Sequence, residues 1–460
     1  MRVLSSVEPQ GVHKSVRREA GVVSHEMVWK ALPVVTRWIA ESRAARVPVD
    51  YSEIQRQLAS GAIEIRDLDL ELKAEKRHVL DEIRRVARQN PDRGKELQAA
   101  LADLDERLVA NRRRLVALRS VQDGIFWRLW NFDRGVISTL GLGPQVGYPS
   151  QNFESEVAAA AEFWAEGKIA LLTDLSSCVR SGDLVVFDPE TGRYRIGEIK
   201  VSDAAVRQAS RQRGRLEART QFLAEGRSSG LGAYAMPVLS AQVRPTLRTH
   251  IATFGSLLEK ARRQVIAGAR ISSHLHVIVL DGRAALEQVG DDEDAALARL
   301  AKKHARLTPP AQWQRQEVVA FHSHERLQRD EHAGTATTAP YSIFPLDDET
   351  CAALCLGLVS CQVTLNLSAV YDQIRRRGWG LEPPPPEPPD MWFTAVEVAS
   401  PTNLLVQGVN VRLREQLLVE FLSLEAFADF VAAGFEEARG EAESSFALVW
   451  GWSGEDRVWL

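Results

Sequence analysis

Between residues 53 and 122, apolar positions recur at alternating steps of four and three. The stronger half of this seam consists of Leu97, Leu101, Leu104, Leu108, Leu115 and Leu118. Asn111 fills the one missing position, and a polar residue in a coiled-coil seam can fix the register. A weaker seam runs through Leu72, Val79, Ile83 and Val86. Because the breaker RQNPDRGK separates the two halves, the pattern predicts an antiparallel helical hairpin over residues 51–122.

Basic and acidic residues are nearly balanced in this hairpin. The balance favours a solvated coiled coil laced with ion pairs over a basic arm for nucleic acid, and partner binding is an alternative use. The seam leaves open whether the coiled coil closes within one chain or between chains. We expect a homo-oligomer, with the coiled coil as the element that could assemble it.

The rest of the chain alternates between helical and strand-like patterns. Residues 150–225 read helix, strand, turn, strand, helix, and HLHVIVLDG at 274–282 is typical of a buried strand. The predicted fold class is α/β, or α+β when all domains are considered together. The expected segments are a helical region (1–50), the hairpin (51–122), a connecting helix (123–149), an α/β domain (150–285), a charged connector (286–340) and an α+β domain (341–460).

Composition places the chain among globular proteins of several domains. It has 460 residues, 45% hydrophobic and 26% charged, with a net charge of −4. No apolar run approaches the roughly 20 residues that cross a bilayer, and the N-terminus lacks the apolar segment of a signal peptide. We therefore expect a cytoplasmic protein without a membrane partner, in which any surface for nucleic acid is local.

Neither the cysteines nor the histidines predict a metal site. Cys351, Cys355 and Cys361 lie in an apolar helix that leads into a strand, so we expect buried structural thiols. His322 and His324 lie in a polar context that is more typical of a helix or a loop than of a ligand set.

The stretch SGDLVVFDPETGRYRIGEIK at 181–200 carries the candidate chemistry. If Asp188 pairs with Arg193 across the PETG turn, Asp183 lies directly opposite Glu198 on one face of a β-hairpin. Lys200 lies two residues beyond Glu198 and shares that face. A slip of one residue in the pairing would move Asp183 to the other face, so the register is a testable assumption.

Two opposed carboxylates repel each other unless a positive charge offsets them. Mg²⁺ or Mn²⁺ suits hard oxygen ligands, and Mg²⁺ usually takes one or two carboxylates together with waters and phosphate oxygens. A lysine beside such a metal can orient the attacking water or stabilise the charge of the transition state. These residue types therefore favour metal-assisted hydrolysis of phosphodiester bonds.

The pattern of Asp183 followed by Glu198-Ile199-Lys200 resembles the PD-(D/E)xK nuclease superfamily, and most closely its Mrr-type restriction endonuclease branch. The resemblance covers only about residues 150–285, and Gly182 replaces the usual proline. It implies a mixed central sheet flanked by helices. The upstream FESEVAAAAEFWAEG supplies Glu154 as the candidate first acid, with Glu156 second.

The resemblance also implies roles for the site residues. Asp183, Glu198 and the Ile199 carbonyl would bind metal, and Lys200 would be catalytic. Gln208 and Gln212 are the candidates for a glutamine of the following helix, with Gln208 ahead.

The helix after Lys200 has an excess of basic residues. Arg207, Arg211 and Arg215 recur every four positions, which sets one basic stripe that could contact phosphates, and Gln212 lies beside them. A solvated charged face is the alternative interpretation of this helix.

We expect a Mg²⁺-dependent nuclease acting on DNA, with RNA as the other option, in bacterial restriction or antiphage defence. The competing class is a non-catalytic nucleic-acid-binding or scaffold protein with a nuclease-like fold.

Overall fold

A computed structural model gives the fold of much of the chain. It describes residues 26–86, 90–131, 136–137, 140–141, 147–150, 152–199, 216–217, 219–221, 227–228, 238–242, 248–289, 293–323, 338–382, 391–400, 403–429, 431–432 and 447–451. Within these ranges, no helix combines the length and the hydropathy needed to cross a membrane.

The described residues form a mixed α and β fold, in which four helices come first and strands and helices then follow in mixed order. The helices are α1 (Glu26–Ala44), α2 (Pro48–Val86), α3 (Pro91–Leu129), α4 (Phe153–Ala165), α5 (Ile251–Gln264), α6 (Gly282–Val289), α7 (Glu293–Arg306), α8 (Asp348–Leu356), α9 (Leu367–Arg375) and α10 (Val411–Val419). The strands are β1 (Ile169–Leu172), β2 (Leu184–Asp188), β3 (Arg193–Gly197), β4 (Arg227–Ser228), β5 (Val238–Gln242), β6 (Ile266–Arg270), β7 (Leu275–Asp281), β8 (Val318–His322), β9 (Val359–Asn366), β10 (Gly380–Glu382), β11 (Met391–Ser400), β12 (Asn403–Asn410) and β13 (Ala447–Gly451).

The described strands form four small sheets. Sheet β1-β2-β3 is antiparallel and follows α4 directly. The sequence predicts a helix followed by two strands around a turn, which correspond to α4, β2 and β3, and it does not predict β1. The short segment IALL shows no alternation of apolar and polar residues, which explains its omission. Sheet β6-β7-β9-β8 and sheet β10-β11-β12 are also antiparallel. In the sheet β13-β5-β4, β13 runs parallel to β5.

The sheets cross the domain limits that the sequence predicts. Strand β7 was expected to complete the α/β domain 150–285, but it pairs with β9 of the region 341–460. The expected connector 286–340 supplies α7 and the edge strand β8 of that same sheet. One continuous apolar cluster joins α1 to residues near Val431. The described parts of these segments therefore share a core, because their apolar faces cover one another.

Helices α2 and α3 form the predicted hairpin, which we call the arm. Each has 39 residues, which corresponds to about 58 Å of α-helix. The seam closes within one chain, so its leucines are already covered, and the expected homo-oligomer stays a prediction. No break separates the arm from the expected connecting helix 123–149, since α3 continues to Leu129 and its last turns bury Phe126 and Trp127 in the main core.

The polar seam residue and the ion pairs behave as the pattern predicts. Asn111 is fully buried, and its side-chain amide donates to the Ile65 carbonyl of the facing helix at 2.8 Å. Ion pairs join the two helices along the outside of the seam. These pairs are Lys76–Asp105 (2.5 Å), Arg93–Glu82 (2.9 Å), Arg107–Glu75 (3.7 Å) and Arg114–Glu64 (2.5 Å).

The region CAALCLGLVSC forms helix α8 followed by strand β9, as predicted. Cys351, Cys355 and Cys361 are buried, and so is Cys178. The expected burial of these thiols is confirmed. His322 belongs to strand β8 and is half-buried, whereas His324 lies outside the described residues.

Candidate functional site

The β2–β3 hairpin has the predicted register. Asp188 pairs with Arg193, Phe187 with Tyr194 and Val185 with Ile196. The turn length and the aromatic pair account for this register, because the Phe187 and Tyr194 rings lie 4.7 Å apart. The regular ladder ends at Leu184 and Gly197, one pair before the expected opposition of Asp183 and Glu198.

The residue before Asp183, Gly182, has a backbone conformation that favours glycine. Its φ is +71°, a value that side-chain-bearing residues rarely adopt, and proline is fixed near −65°. A Cβ at this position would also lie 2.6 Å from the Gly197 carbonyl oxygen. Only glycine fits, so the residue before Asp183 is dictated by close approach of the two strands.

Asp183 is attached to both neighbouring strands. Its backbone carbonyl accepts from Thr173 N–H at 3.0 Å, and its N–H donates to the Gly197 carbonyl at 2.8 Å. Its carboxylate Oδ2 accepts from Ile199 N–H at 2.6 Å. The side chain therefore lies across the end of β3, beside the Glu198-Ile199 peptide. Asp183, Glu198 and Ile199 come together here, and all three are half-buried.

The structure places the two candidate first acids in different surroundings. Glu154 is on the surface, where it accepts from Arg66 of the arm at 2.6 Å, and this hydrogen bond is the main cause of its lowered pKa. Glu156 is only 5% exposed. It lies on the buried face of α4 with Phe153, Ala160 and Trp164, because these residues recur at helical spacing.

Glu156 lies in a carboxylate-rich environment. Burial raises its pKa to about 8, and the negative charges of Asp174 and Asp183 contribute further. Its Oε1 accepts from the Ser150 hydroxyl at 3.2 Å, whereas its buried Oε2 has no hydrogen-bond partner among the described residues. Without a cation nearby, such a group keeps its proton at neutral pH.

Asp174 and Ser150 are members of this environment that the sequence interpretation missed. Asp174 lies two residues beyond the end of β1, and its Oδ2 accepts from Ser150 N–H at 3.2 Å. Ser150 therefore bridges Asp174 and Glu156 through its amide and its hydroxyl. The available signal was an acid placed at the end of an apolar run, in IALLTD.

The remaining predicted site residues lie outside the described part of the chain. They are Lys200, Arg207, Gln208, Arg211, Gln212 and Arg215. Within the described part, no three His, Cys, Asp or Glu side chains are arranged so that they could hold a metal ion. The described acids of the site are therefore compatible only with a metal held by one or two carboxylates, with other ligands from outside this set.

The arm reaches the sheet through buried amides. The Gln122 amide donates to the Leu172 carbonyl at 3.1 Å, and the Leu172 N–H donates to the Gln55 carbonyl oxygen at 3.1 Å. Gln55 and Gln122 also hydrogen-bond to each other at 2.6 Å. Two glutamines from facing helices thus satisfy the backbone N–H and C=O of Leu172 at the end of the edge strand β1.

Asp123 holds the loop that connects β1 to Asp183. It is 5% exposed, and its carboxylate accepts from the Ser176 hydroxyl (2.6 Å), the Ser177 N–H (2.9 Å) and hydroxyl, and the Cys178 N–H (3.1 Å). A buried carboxylate with several donors is well satisfied. The base of the arm therefore positions the loop that ends at the candidate site.

Comparison with family models, with curated proteins and with solved structures gives no match for this chain.

Proposed function

We propose that this protein is a metal-dependent nuclease that hydrolyses phosphodiester bonds, with DNA as the expected substrate. The observation that supports this best is the buried Glu156, whose pKa of about 8 reflects burial first and then the nearby charges of Asp174 and Asp183. A buried acid with an unpartnered oxygen beside two further acids costs stability, and a bound cation would recover that cost.

The donor set fits Mg²⁺ or Mn²⁺. Glu156 Oε2 and the Asp183 carboxylate would hold the ion, with the Ile199 carbonyl as the further ligand that the family resemblance implies and Glu198 beside it in the chain. The ion, when bound, supplies a positive charge that offsets carboxylate repulsion and polarises the scissile phosphate. Two protein carboxylates match the usual ligation of Mg²⁺, which keeps several waters.

Residues of the chain would position the ion, the attacking water and the nucleic acid. Asp183 fixes the Ile199 peptide through its hydrogen bond, which keeps the end of β3 beside the acids. Ser150 orients Glu156 through Oε1 and leaves Oε2 for a ligand. In this proposal Lys200 orients the attacking water, Gln208 supports it, and the stripe of Arg207, Arg211 and Arg215 contacts the nucleic-acid backbone.

Cleavage of plasmid, linear duplex and single-stranded DNA and RNA with Mg²⁺ or Mn²⁺ tests the proposal. We expect Asp183→Asn, Glu156→Gln and Lys200→Ala to lower the cleavage rate by at least about 100-fold, because each removes a metal ligand or the activating lysine. Glu154→Gln is the matched control on the same helix. It should stay within about threefold of wild type, since Glu154 faces Arg66.

Calorimetric titration with Mn²⁺ gives a second readout that does not depend on the substrate chosen. Binding should weaken in Glu156→Gln and Asp183→Asn and stay unchanged in Glu154→Gln. Cleavage by Glu156→Gln at the wild-type rate would exclude the proposed site. A protein that binds DNA equally in EDTA and in Mg²⁺, and never cuts, would instead support the non-catalytic alternative.

A further inference from the structure

A cleft lies between α1 and the first half of α2, with Arg114 of α3 in its wall, and none of the acids of the candidate site lines it. Its volume is about 650 Å³, which lies within the range of small-molecule sites of roughly 300–1,000 Å³. Much of its wall is apolar, and it includes Met27, Ala31, Val34, Val35 and Ile65. Gly61 leaves room for the Trp38 ring, because a Cβ there would lie 2.9 Å from that ring.

Two buried polar atoms of the cleft residues lack a hydrogen-bond partner among the described residues. They are the indole Nε1 of Trp38, which is a donor, and the amide Oε1 of Gln57, which is an acceptor. Trp38 is 8% exposed, so its indole N–H has little access to solvent. The Gln57 Nε2 donates to Glu53 at 3.3 Å, which fixes the amide so that Oε1 is the unpaired end. Both atoms are closed to solvent, so a ligand reaches them when the Trp38 and Gln57 side chains turn towards it.

The charged lining residues favour an anion. Lys30, Arg37, Arg56 and Arg114 line the cleft, and Glu64 is the acid among the residues that line it. Each cation also has an acidic neighbour. The pairs of Lys30, Arg37 and Arg56 are solvent-exposed and worth little, whereas Arg114 has only 19% of its side chain exposed and stays paired with Glu64. Arg37 lies 3.8 Å from Glu41, with 59% of its side chain exposed, so a ligand anion can recruit it easily.

We propose that this cleft binds a nucleotide. A nucleobase is planar and apolar on its faces, and its edge carries both acceptors and donors, as the Trp38 N–H and the Gln57 oxygen require. The phosphates of the same molecule would contact Arg37 and the neighbouring cations. A purely apolar ligand would leave both buried polar atoms unpaired, and an inorganic anion would not cover the apolar wall.

Calorimetric titration of the full chain in EDTA with ATP, GTP, CTP and UTP tests this proposal, with adenosine and pyrophosphate as partial ligands. At least one nucleotide should bind with a Kd below about 1 mM, and adenosine or pyrophosphate alone should bind at least about tenfold more weakly. EDTA separates this binding from the metal-dependent site, so failure here leaves the proposed nuclease untouched.

Three variants assign the binding to the cleft. Gln57→Leu should weaken the nucleotide about fivefold or more, Arg37→Gln about tenfold, and Ser60→Trp should abolish binding by filling the cleft. Arg84→Gln, an exposed arginine near the far end of the same helix, is the control and should bind as wild type does. Arg56 is left intact because it also lies 5.1 Å over the Trp164 ring.

Two outcomes would overturn the proposal. One is the absence of binding by all four nucleotides at about 1 mM. The other is nucleotide binding that all three cleft variants leave unchanged, which would place the ligand elsewhere. Thermal unfolding of each variant without ligand confirms that a loss of binding does not come from a loss of fold.

Discussion

The two ends of the arm use polar residues in opposite ways. At the tip, residues 68–108, a seam of leucines carries the packing and charged side chains pair outside it in solvent. At the base, residues 48–66 and 110–129, polar side chains are buried and hydrogen-bond to the sheet and its loop. Gln55, Gln122 and Asp123 are each 5% exposed or less.

The tip is determined by local sequence spacing, whereas the base is determined by contacts with residues that are distant in the sequence. The tip needs only its own heptad spacing, so it forms a small apolar cluster separate from the main core. The base depends on backbone groups of β1 and the following loop, which lie about 50 residues further along the chain. We call the described part of the protein outside the arm the body. The tip is therefore expected to contribute little to the stability of the body, whereas the base joins the arm to the candidate site.

The largest expected effect is at the base. Asp123→Ala removes the acceptor of two hydroxyls and two backbone N–H groups and leaves them buried. We expect the free energy of unfolding to fall by about 3–5 kcal/mol, measured by urea denaturation. Asp105→Ala at the tip removes a half-exposed carboxylate and is the matched control, with an expected change below about 1 kcal/mol. Equal losses in the two variants would contradict the distinction between the ends.

The sequence predicts the tip better than the base for a physical reason. The seam spacing and the four-residue turn of β2–β3 are local patterns, and the structure has both. On a helix, Gln55, Gln122 and Asp123 look like ordinary surface residues until β1 is placed beside them. The different surroundings of Glu154 and Glu156 were not predicted, because Arg66, which pairs with Glu154, lies 88 residues away. The buried spacing of Phe153, Glu156 and Ala160 was a usable signal.

The body, unlike the tip, contains a buried histidine that makes its stability depend on pH. Burial lowers the pKa of His274 to about 4, and its ring nitrogens contact the Ser272 hydroxyl and the Leu422 carbonyl. The neutral form is thus favoured in the folded state. Neutral His274 contributes fully to the free energy of unfolding above the unfolded pKa of about 6.5. As the pH falls towards 4, this contribution is lost, by up to about 3 kcal/mol.

His274→Gln should flatten this acid dependence of unfolding between pH 6.5 and 4, measured by denaturation at several pH values. Some pH dependence should persist, because burial also lowers the pKa of His250, whose ring lies 5.9 Å from that of His274. The negative charge of Glu425 opposes the pKa shifts of both histidines. His78→Gln, at an exposed position of the tip, should leave the slope unchanged. An identical slope in wild type and His274→Gln would contradict the prediction.

The two glutamines of the base should be energetically coupled. Gln122→Leu leaves the Leu172 carbonyl and the Gln55 amide without their partner, which should cost about 2 kcal/mol. Gln55→Leu should cost a similar amount, since it removes the acceptor of the Leu172 N–H. Because both changes break the same contact, the double variant should lose less than the sum. A double-mutant cycle in urea measures this difference, and strict additivity would show that the amides act independently.

The smallest expected effect is at the tip. Lys76 and Asp105 lie 2.5 Å apart, but half of the Asp105 side chain and a third of the Lys76 side chain are exposed. Water screens such a pair, and holding two long side chains in one geometry costs entropy, so Lys76→Ala should lower the free energy of unfolding by only about 0.2–0.5 kcal/mol. The loss should shrink further at 1 M salt, where the Debye length is about 3 Å. A loss above about 1 kcal/mol that persists in salt would show that the tip, like the base, depends on its polar contacts.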